Sequence, residues 1–255
     1  MKLKSDTFTL PPGLVTAVRT LTILPIPGED TTEPNRALPW FPLVGAVLGI
    51  LIWAPLATLQ HLGFWPAGVG IVGVGLSVFL TRGLHLDGLA DWADGFWGGW
   101  TRERILAIMK DSSLGTFGTV ALILIMLAKW SSIVALVESD NMHWIALAMI
   151  ISRAVQVDIA VTHPYARPEG GTGSAFISKA TRKEWIPALC TACGLVFLFG
   201  AFTWRPLAAL AAAGLLGRCF GGWSHKKIGG VTGDILGATS EFTETLVLML
   251  GAAIL

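Results

Sequence analysis

Apolar residues along this chain gather in long runs, separated by short polar stretches. A helix needs about 20 mostly apolar residues to cross a bilayer. Seven runs meet or approach that length, with six and eight as alternatives, and they predict an all-α polytopic membrane helix bundle: 40–60, 66–83, 117–136, 143–162, 186–203, 206–222 and 235–255. A shorter stretch at 10–26, bracketed by prolines, predicts an interfacial or re-entrant N-terminal helix. Because no repeat or boundary divides the chain, we expect a single integral membrane domain over 1–255.

Composition supports the membrane class. The chain is 53% hydrophobic and 14% charged, against about 45–50% and about 25% in soluble domains, and its mean hydropathy is +0.65. Membrane lipid is therefore an expected partner. The net charge of +1 provides no electrostatic basis for a nucleic-acid partner.

Charged loops predict the orientation. Lys and Arg concentrate in alternate polar segments: the N-terminal region, 84–116, 163–185 and 223–234. The loops between these segments carry Arg205 alone. Because basic loops stay in the cytoplasm, we expect a multi-pass protein of the inner membrane. Its chemically rich loops, and hence its active site, would face the cytoplasm.

Three aspartates follow the second apolar run. In a helix, at about 100° per residue, Asp87, Asp91 and Asp94 lie within about 60° of arc. Like charges this close need a cation between them, and a hard divalent ion takes oxygen ligands. The alternative is that they are helix caps and solvated loop residues, which accounts for one or two of them. His85 lies off this face and is expected either to bind substrate or to pack.

A Ser/Gly-rich loop precedes the third run. Thr101 is a plausible N-cap for a short amphipathic helix, after which Lys110 and Asp111 enter the loop. Backbone amides in such a loop can approach an anion, which predicts a phosphate site. Because helices commonly end in Lys, a purely structural helix end is the alternative.

Acidic residues also occur at the start and in the first half of the last apolar run. Asp234, Glu241 and Glu244 share a helical face, and ionisable residues in apolar spans are functional by default. We expect them to contribute to the same metal or substrate site. Arg153, in mid-span, is expected to face an acidic cluster or a substrate phosphate, the alternative being an ion pair with Asp158.

Two further cations differ in their surroundings. Arg167 lies in a turn-rich loop, where its guanidinium suits bidentate phosphate binding. Lys129 lies towards the outer end of its apolar run. We expect its ammonium group to snorkel to the membrane surface.

The segment His85–Gly95 resembles the signature of the cobalamin synthase family, the adenosylcobinamide-GDP ribazoletransferases. Three more segments resemble the family in the same order: Ile108–Gly118, Pro164–Arg167 and Gly233–Glu241. The resemblance is spread across most of the chain, from about residue 15 to the end. Two departures are mild: Ser113 stands where arginine is expected, removing a cation from that loop, and Ile235 stands where threonine is usual.

This resemblance implies an activity. Members join α-ribazole, or its 5′-phosphate, to adenosylcobinamide-GDP with release of GMP, in the last assembly stage of coenzyme B12, and they require Mg²⁺. It implies that the ribazole 3′-hydroxyl attacks the phosphorus on the corrinoid side. Phosphoryl transfer asks the protein mainly for positioning and charge neutralisation.

Roles for the candidate residues follow as expectations. Mg²⁺ on the diphosphate is expected to be held by Asp87, Asp91 and Asp94. The hydroxyl proton is expected to pass to Asp94, Asp111 or Glu241, a choice that the sequence leaves open. Charge on the phosphates is expected to be stabilised by Lys110, Arg153 and Arg167. Substrate contacts are further expected from His85, Asp234 and Glu244.

Two alternatives come from other classes. A CDP-alcohol phosphotransferase of phospholipid synthesis also clusters aspartates at a membrane face, but its longer spacing is absent here. An ion-coupled transporter would use the intramembrane acids and Arg153 as a relay. Against it, the acids gather towards one membrane face.

Overall fold

The computed structural model describes residues 10–253, and helices dominate that part of the chain. The helices are α1 (Pro12–Leu21), a 3₁₀ helix (Pro34–Trp40), α2 (Phe41–His61), α3 (Pro66–Thr81), α4 (Leu84–Gly98), α5 (Arg102–Ile108), α6 (Thr116–Glu138), α7 (His143–Thr162), α8 (Ser174–Ile177), α9 (Arg182–Phe199), α10 (Arg205–Ile228) and α11 (Gly233–Ala253). Within residues 10–253 no β-strand forms, and an isolated parallel bridge pairs Tyr165 with Val231.

Four helical segments are long and apolar enough to cross a membrane. They are the 3₁₀ helix continued by α2, then α6, α7 and α10, and a fifth is obtained if the bent pair α3 and α4 counts as one span. These findings confirm an all-helical protein with several membrane-compatible helices. The helices α9 and α11 fall outside this group, because α9 begins with three charged residues and α11 carries Glu241 and Glu244 in its interior.

The helix α7 lies at the centre of the bundle. It packs against α2, α9, α10 and α11, and every residue from Trp144 to Ala160 is buried. Glycine lets α2 come close, since a methyl group at Gly49 would lie 2.5 Å from the Cα atom of Ala146. The central position of α7 carries Arg153 into the interior of the bundle.

The N-terminal helix α1 is too short to span. Ten residues rise only about 15 Å, which agrees with an interfacial or re-entrant segment. Its following loop folds back, because Arg19 Nη1 and Thr16 Oγ1 donate to the Asp30 carboxylate at 2.7 and 2.8 Å. The amide of Ile23 then donates to the Leu80 carbonyl at 2.9 Å, which ties this segment to the end of α3.

Candidate active site

The acid-bearing helix α4 turns sharply away from α3. Arg82 and Gly83 connect the two helices, both with left-handed backbone (φ 55° and 65°), and the helix axes differ by 91°. Glycine adopts this conformation readily, whereas arginine does so at some cost. The turn directs α4 across the bundle, so its aspartates face other chain segments instead of following α3.

Two glycines bring α4 against α11. A methyl group at Gly88 would lie 2.9 Å from the Asp234 carbonyl oxygen, and one at Gly237 would lie 3.2 Å from the His85 carbonyl oxygen. Small residues at such a crossing allow close backbone approach. The crossing places Asp87, beside Gly88, next to the N-terminal end of α11.

Negative charge concentrates at this crossing. Asp91 is half-buried on α4, outside the four apolar helices. Burial, together with the nearby charges of Asp234 and Asp87, raises the pKa of Asp91 to about 7. The closest cation is Arg167, whose Nη2 donates to Asp234 Oδ2 at 3.1 Å. One guanidinium among three carboxylates leaves an excess of negative charge.

Two loops deliver Arg167 to this position. The amide of Ala166 donates to the Val231 carbonyl, and the amide of Val231 donates to the Pro164 carbonyl, both at 2.9 Å. Arg102, at the start of α5, donates to the carbonyls of Ile228 (2.9 Å) and Ala166 (2.6 Å). The segments before α8 and before α11 are therefore joined, and Arg167 lies beside Asp234.

Asp94 turns towards α6 instead. Its Oδ2 accepts from the Gly115 amide at 2.7 Å, and its Oδ1 accepts from the Gly118 amide at 2.9 Å. A carboxylate at a helix N-terminus satisfies free amides and interacts favourably with the helix dipole. Asp94 thus anchors the end of the Ser/Gly loop, in which Lys110 and Asp111 are exposed.

Glu241 and Glu244 lie elsewhere, in a buried ion cluster. Lys129 Nζ lies 2.6 Å from a carboxylate oxygen of each glutamate, and Arg153 Nη1 lies 2.6 Å from the other oxygen of Glu244. All four side chains are at most 6% exposed. The charges balance, and the cluster joins α6, α7 and α11.

The ion cluster shows that the expected position of Lys129 was wrong, and it decides between the two alternatives for Arg153. Lys129 does not snorkel: it is 4% exposed and ion-paired. Arg153 contacts Glu244 of the last helix, which confirms the expectation that it faces an acidic cluster. The alternative, an ion pair with Asp158, does not form. Asp158 instead accepts two hydrogen bonds from Arg218, at 2.9 and 3.0 Å.

A cavity of about 200 Å³ adjoins the acidic crossing. Asp87 and Asp234 line one part of it, together with the two crossing glycines. His85 and Gln156, each 3% exposed, also line it. The cavity places a small, partly open space directly beside the charged groups.

The expected site residues therefore separate into three groups. The structure brings together Asp87, Asp91, Asp234 and Arg167, with His85 at the adjoining cavity. It places Asp94 with the Ser/Gly loop, and it places Arg153, Glu241 and Glu244 in the buried ion cluster. Within residues 10–253, no three His, Cys, Asp or Glu side chains form a preorganised metal cage.

Sequence reasoning missed the structural roles of three residues. Arg102 joins the two loops, Gln156 lines the cavity, and Lys129 neutralises the buried glutamates. A lysine inside an apolar run was the only available signal, because its partner Glu244 is 115 positions away. The roles of Arg102 and Gln156 left no local pattern.

Comparisons with known proteins agree on one family. The family model described as cobalamin-5-phosphate synthase matches residues 13–252. The adenosylcobinamide-GDP ribazoletransferase of Chlorobaculum tepidum is 44% identical over 243 residues, 94% of each chain. The protein of that name from Chlorobium chlorochromatii is 45% identical over 248 residues, 95% of this chain and 96% of the relative. That from Syntrophobacter fumaroxidans is 37% identical over 247 residues, 94% and 97% of the two chains. No solved structure matches. The chain therefore belongs to the cobalamin-5-phosphate synthase family.

Proposed function

We propose that this protein joins α-ribazole, or its 5′-phosphate, to adenosylcobinamide-GDP and releases GMP. The observation that carries the proposal is the meeting of Asp87, Asp91, Asp234 and Arg167, which come from three separate segments. These are three of the four segments that resemble the family, and relatives at about 45% identity are named for this transfer. The phospholipid phosphotransferase and transporter alternatives receive no support from the family match.

The reaction breaks the phosphoanhydride bond of the diphosphate and forms a phosphate ester bond in its place. The ribazole hydroxyl oxygen forms a bond to the phosphorus on the corrinoid side of the diphosphate. The bond between that phosphorus and the bridging oxygen breaks, and GMP leaves with the electron pair. The hydroxyl proton passes to a carboxylate. Positioning and charge neutralisation are the protein's main contributions to such a transfer.

The acidic crossing fits a magnesium ion that substrate helps to bind. In phosphate-transfer sites Mg²⁺ takes one or two carboxylates and completes its shell with water and substrate phosphates. We assign Asp87 and Asp91 as its protein ligands, because both oxygens of Asp94 already accept backbone amides. When bound, the ion neutralises charge on the diphosphate. Burial and the neighbouring carboxylates together raise the pKa of Asp91, and the excess of negative charge favours a cation beside it.

We propose Asp94 as the proton acceptor among the three expected carboxylates. Glu241 is ion-paired with Lys129 inside the bundle. Asp111 is exposed on the Ser/Gly loop, where its Oδ1 accepts from the Ser113 amide at 2.9 Å. Asp94 lies one helical turn from Asp91 on α4, and it borders the loop that carries Lys110.

Arg167 is the proposed phosphate-binding cation. Its Nη2 is shared with Asp234 at 3.1 Å, and its side chain remains 13% exposed beside the acidic crossing. Arg167 thus has donors available for a diphosphate oxygen, and Lys110 is a second candidate from the exposed loop. Arg153 is already paired with Glu244, so we assign it to the bundle interior instead.

We further propose seven spans in the inner membrane: α2, α3, α6, α7, α9, α10 and α11. The basic residues of alternate loops then face the cytoplasm. The helix α4 lies along the cytoplasmic side because it is bent by 91° from α3. In this orientation the acidic crossing is open to soluble substrates.

The experiment incubates membranes containing the protein with Mg²⁺, α-ribazole and adenosylcobinamide-GDP, and measures GMP. Asp91→Asn should abolish GMP release without loss of folded protein, because the substitution removes a metal ligand. Asp140→Asn is the matched control: Asp140 is an exposed acid in the α6–α7 turn, with φ 57°, a conformation that asparagine tolerates. Near-normal turnover by Asp91→Asn would refute the metal assignment. Absence of GMP from the wild-type protein would refute the function.

A further inference from the structure

A partly open groove lies between α9 and α10, with α7 at its base. Its volume of about 480 Å³ falls within the range of small-molecule pockets, roughly 300–1,000 Å³. Small residues on all three helices leave this space open: Ala154, Ala188, Ala211 and Gly214. A methyl group at Gly214 would meet no atom within 4 Å. The groove shares no lining residue with the cavity beside Asp87 and Asp234, so it is a separate feature.

The groove has the length of one membrane leaflet. Its polar end lies at Trp185, about one helical turn from the start of α9 at Arg182, on the cytoplasmic side in the orientation proposed above. From Arg218 at this end, the groove follows α10 back to Leu207, which is about 16 Å of helix. The hydrocarbon core of a bilayer is about 30 Å thick, so one leaflet measures about 15 Å. A single acyl chain spans this distance.

Three side chains meet at the polar end. Asp158 accepts a hydrogen bond from Trp185 Nε1 at 2.8 Å, and it accepts two more from Arg218 Nε and Nη2, at 2.9 and 3.0 Å. The Asp158 side chain is 12% exposed, whereas that of Arg218 is 58% exposed. The outward charge of this ion pair is therefore positive. The pair occupies Nε and Nη2 of Arg218 and leaves Nη1 for another acceptor.

We propose that the groove holds one acyl chain of an anionic phospholipid whose phosphate binds Arg218. The proposal uses the membrane placement proposed above and does not depend on the transferase reaction. A donor at membrane depth needs an acceptor, because water is absent there. A phosphate supplies one through a charge-assisted hydrogen bond to the guanidinium. Basic pockets between helices on the cytoplasmic side are known sites for anionic headgroups.

The headgroup contact is what distinguishes this lipid from the surrounding bilayer. Lipid tails are as apolar as the groove wall, so the chain itself gains only close packing. The preference for an anionic lipid comes from Arg218 and from the basic loops at 163–185 and 223–234, which flank the polar end. A phosphorylated nucleoside suits the groove less well, because its polar groups would face an apolar wall without partners.

The first test fills the groove and counts bound lipid. Native mass spectrometry of the detergent-solubilised full-length protein, with added phosphatidylglycerol, should show one retained lipid per chain. Gly214→Leu places a side chain in the open space and should weaken retention at least tenfold. Gly194→Leu on α9 is the matched control, because a methyl group there also meets no atom within 4 Å and Gly194 is outside the groove lining. This control should retain lipid as the wild type does.

The second test uses the unaltered protein and compares headgroups on identical chains. Phosphatidylglycerol should bind about fivefold more tightly than phosphatidylcholine, the effect of one interfacial cation. The double variant Asp158→Asn, Arg218→Gln removes the ion pair without leaving an unpaired charge. It should lose the preference for phosphatidylglycerol, and thermal unfolding in detergent checks that it is folded.

Three results would overturn the lipid site. One is equal lipid retention by Gly214→Leu and the wild type, and another is equal affinity of the wild type for the two lipids. The third is a wild-type dimer that retains no lipid and that Gly214→Leu dissociates, which would assign the groove to a second copy of the chain. Neither test measures GMP release, so a failure here leaves the proposed function intact.

Discussion

At the scale of single residues, the three aspartates of α4 have different surroundings, although their spacing places them on one helical face. Asp87 is exposed, Asp91 is half-buried among other acids, and Asp94 accepts two amides of α6. Helical spacing predicted one shared face for all three. The contacts of each carboxylate depend on α6 and α11, which approach from distant parts of the chain. Spacing therefore identified the right residues without separating their roles.

Arg167 provides a test at this scale. Arg167→Lys keeps the positive charge but loses the planar fork that can contact Asp234 and a phosphate together. We expect the kcat for GMP release to fall by roughly 10²-fold, as when a donor to a developing charge is lost. Arg182→Lys, at the exposed start of α9, is the control and should leave kcat unchanged. Wild-type kcat in Arg167→Lys would show that the guanidinium does not act on the phosphates.

At the scale of helices, local patterns were reliable where the cause is local. Thr101 was expected to cap a short helix, and its Oγ1 accepts from the Arg104 amide at 3.3 Å at the start of α5. The prolines around residues 10–26 correctly indicated a segment that does not span. The 91° turn before α4 was not expected, because Arg82 in a left-handed conformation has no sequence signal.

The crossing of α4 and α11 provides a test at the helix scale. Gly88→Ala adds a methyl group 2.9 Å from the Asp234 carbonyl oxygen, so the two helices must move apart. We expect a loss of about 1–3 kcal/mol in stability, as for overpacked cores, and lower GMP release because Asp87 and Asp234 separate. Thermal unfolding in detergent and GMP release measure the two effects.

The control for this substitution is Gly75→Ala in α3, where an added methyl group has no atom within 4 Å. Alanine favours a helix over glycine by about 0.5–1 kcal/mol, so this variant should be as stable as the wild type or slightly more stable. If Gly88→Ala were equally harmless, the close contact of the two helices would not position the acids.

At the scale of the whole molecule, charges inside the bundle must balance. An ionised side chain at bilayer depth costs at least about 2.5–3.5 kcal/mol. Two cations and two anions meet in the cluster of Lys129, Arg153, Glu241 and Glu244. Their partners are on three helices, so the cluster also fixes how α6, α7 and α11 pack together.

Lys129 tests this balance. Lys129→Met leaves two glutamates with one arginine, and removing one member of a buried pair costs about 3–5 kcal/mol. The double variant Lys129→Met, Glu241→Gln restores neutrality and should recover most of that loss. Denaturant unfolding in detergent measures both, with Lys226→Met at the exposed end of α10 as the control. Equal stability of the single variant and the wild type would contradict a structural role for the cluster.

The sequence by itself determined the class of protein, the principal helices, the acid-rich segments and the family they resemble. Hydrophobic run length and helical spacing depend only on residues within about 20 positions of one another. The family resemblance depends on short motifs and their order, which are read directly from the sequence. Only the tertiary structure decided that Asp234 joins Asp87 and Asp91 while Glu241 and Glu244 pair with Lys129 and Arg153. That division depends on which helices touch and at which depth, and packing between residues 91 or 115 positions apart, as Arg153 and Lys129 are from Glu244, leaves no local pattern.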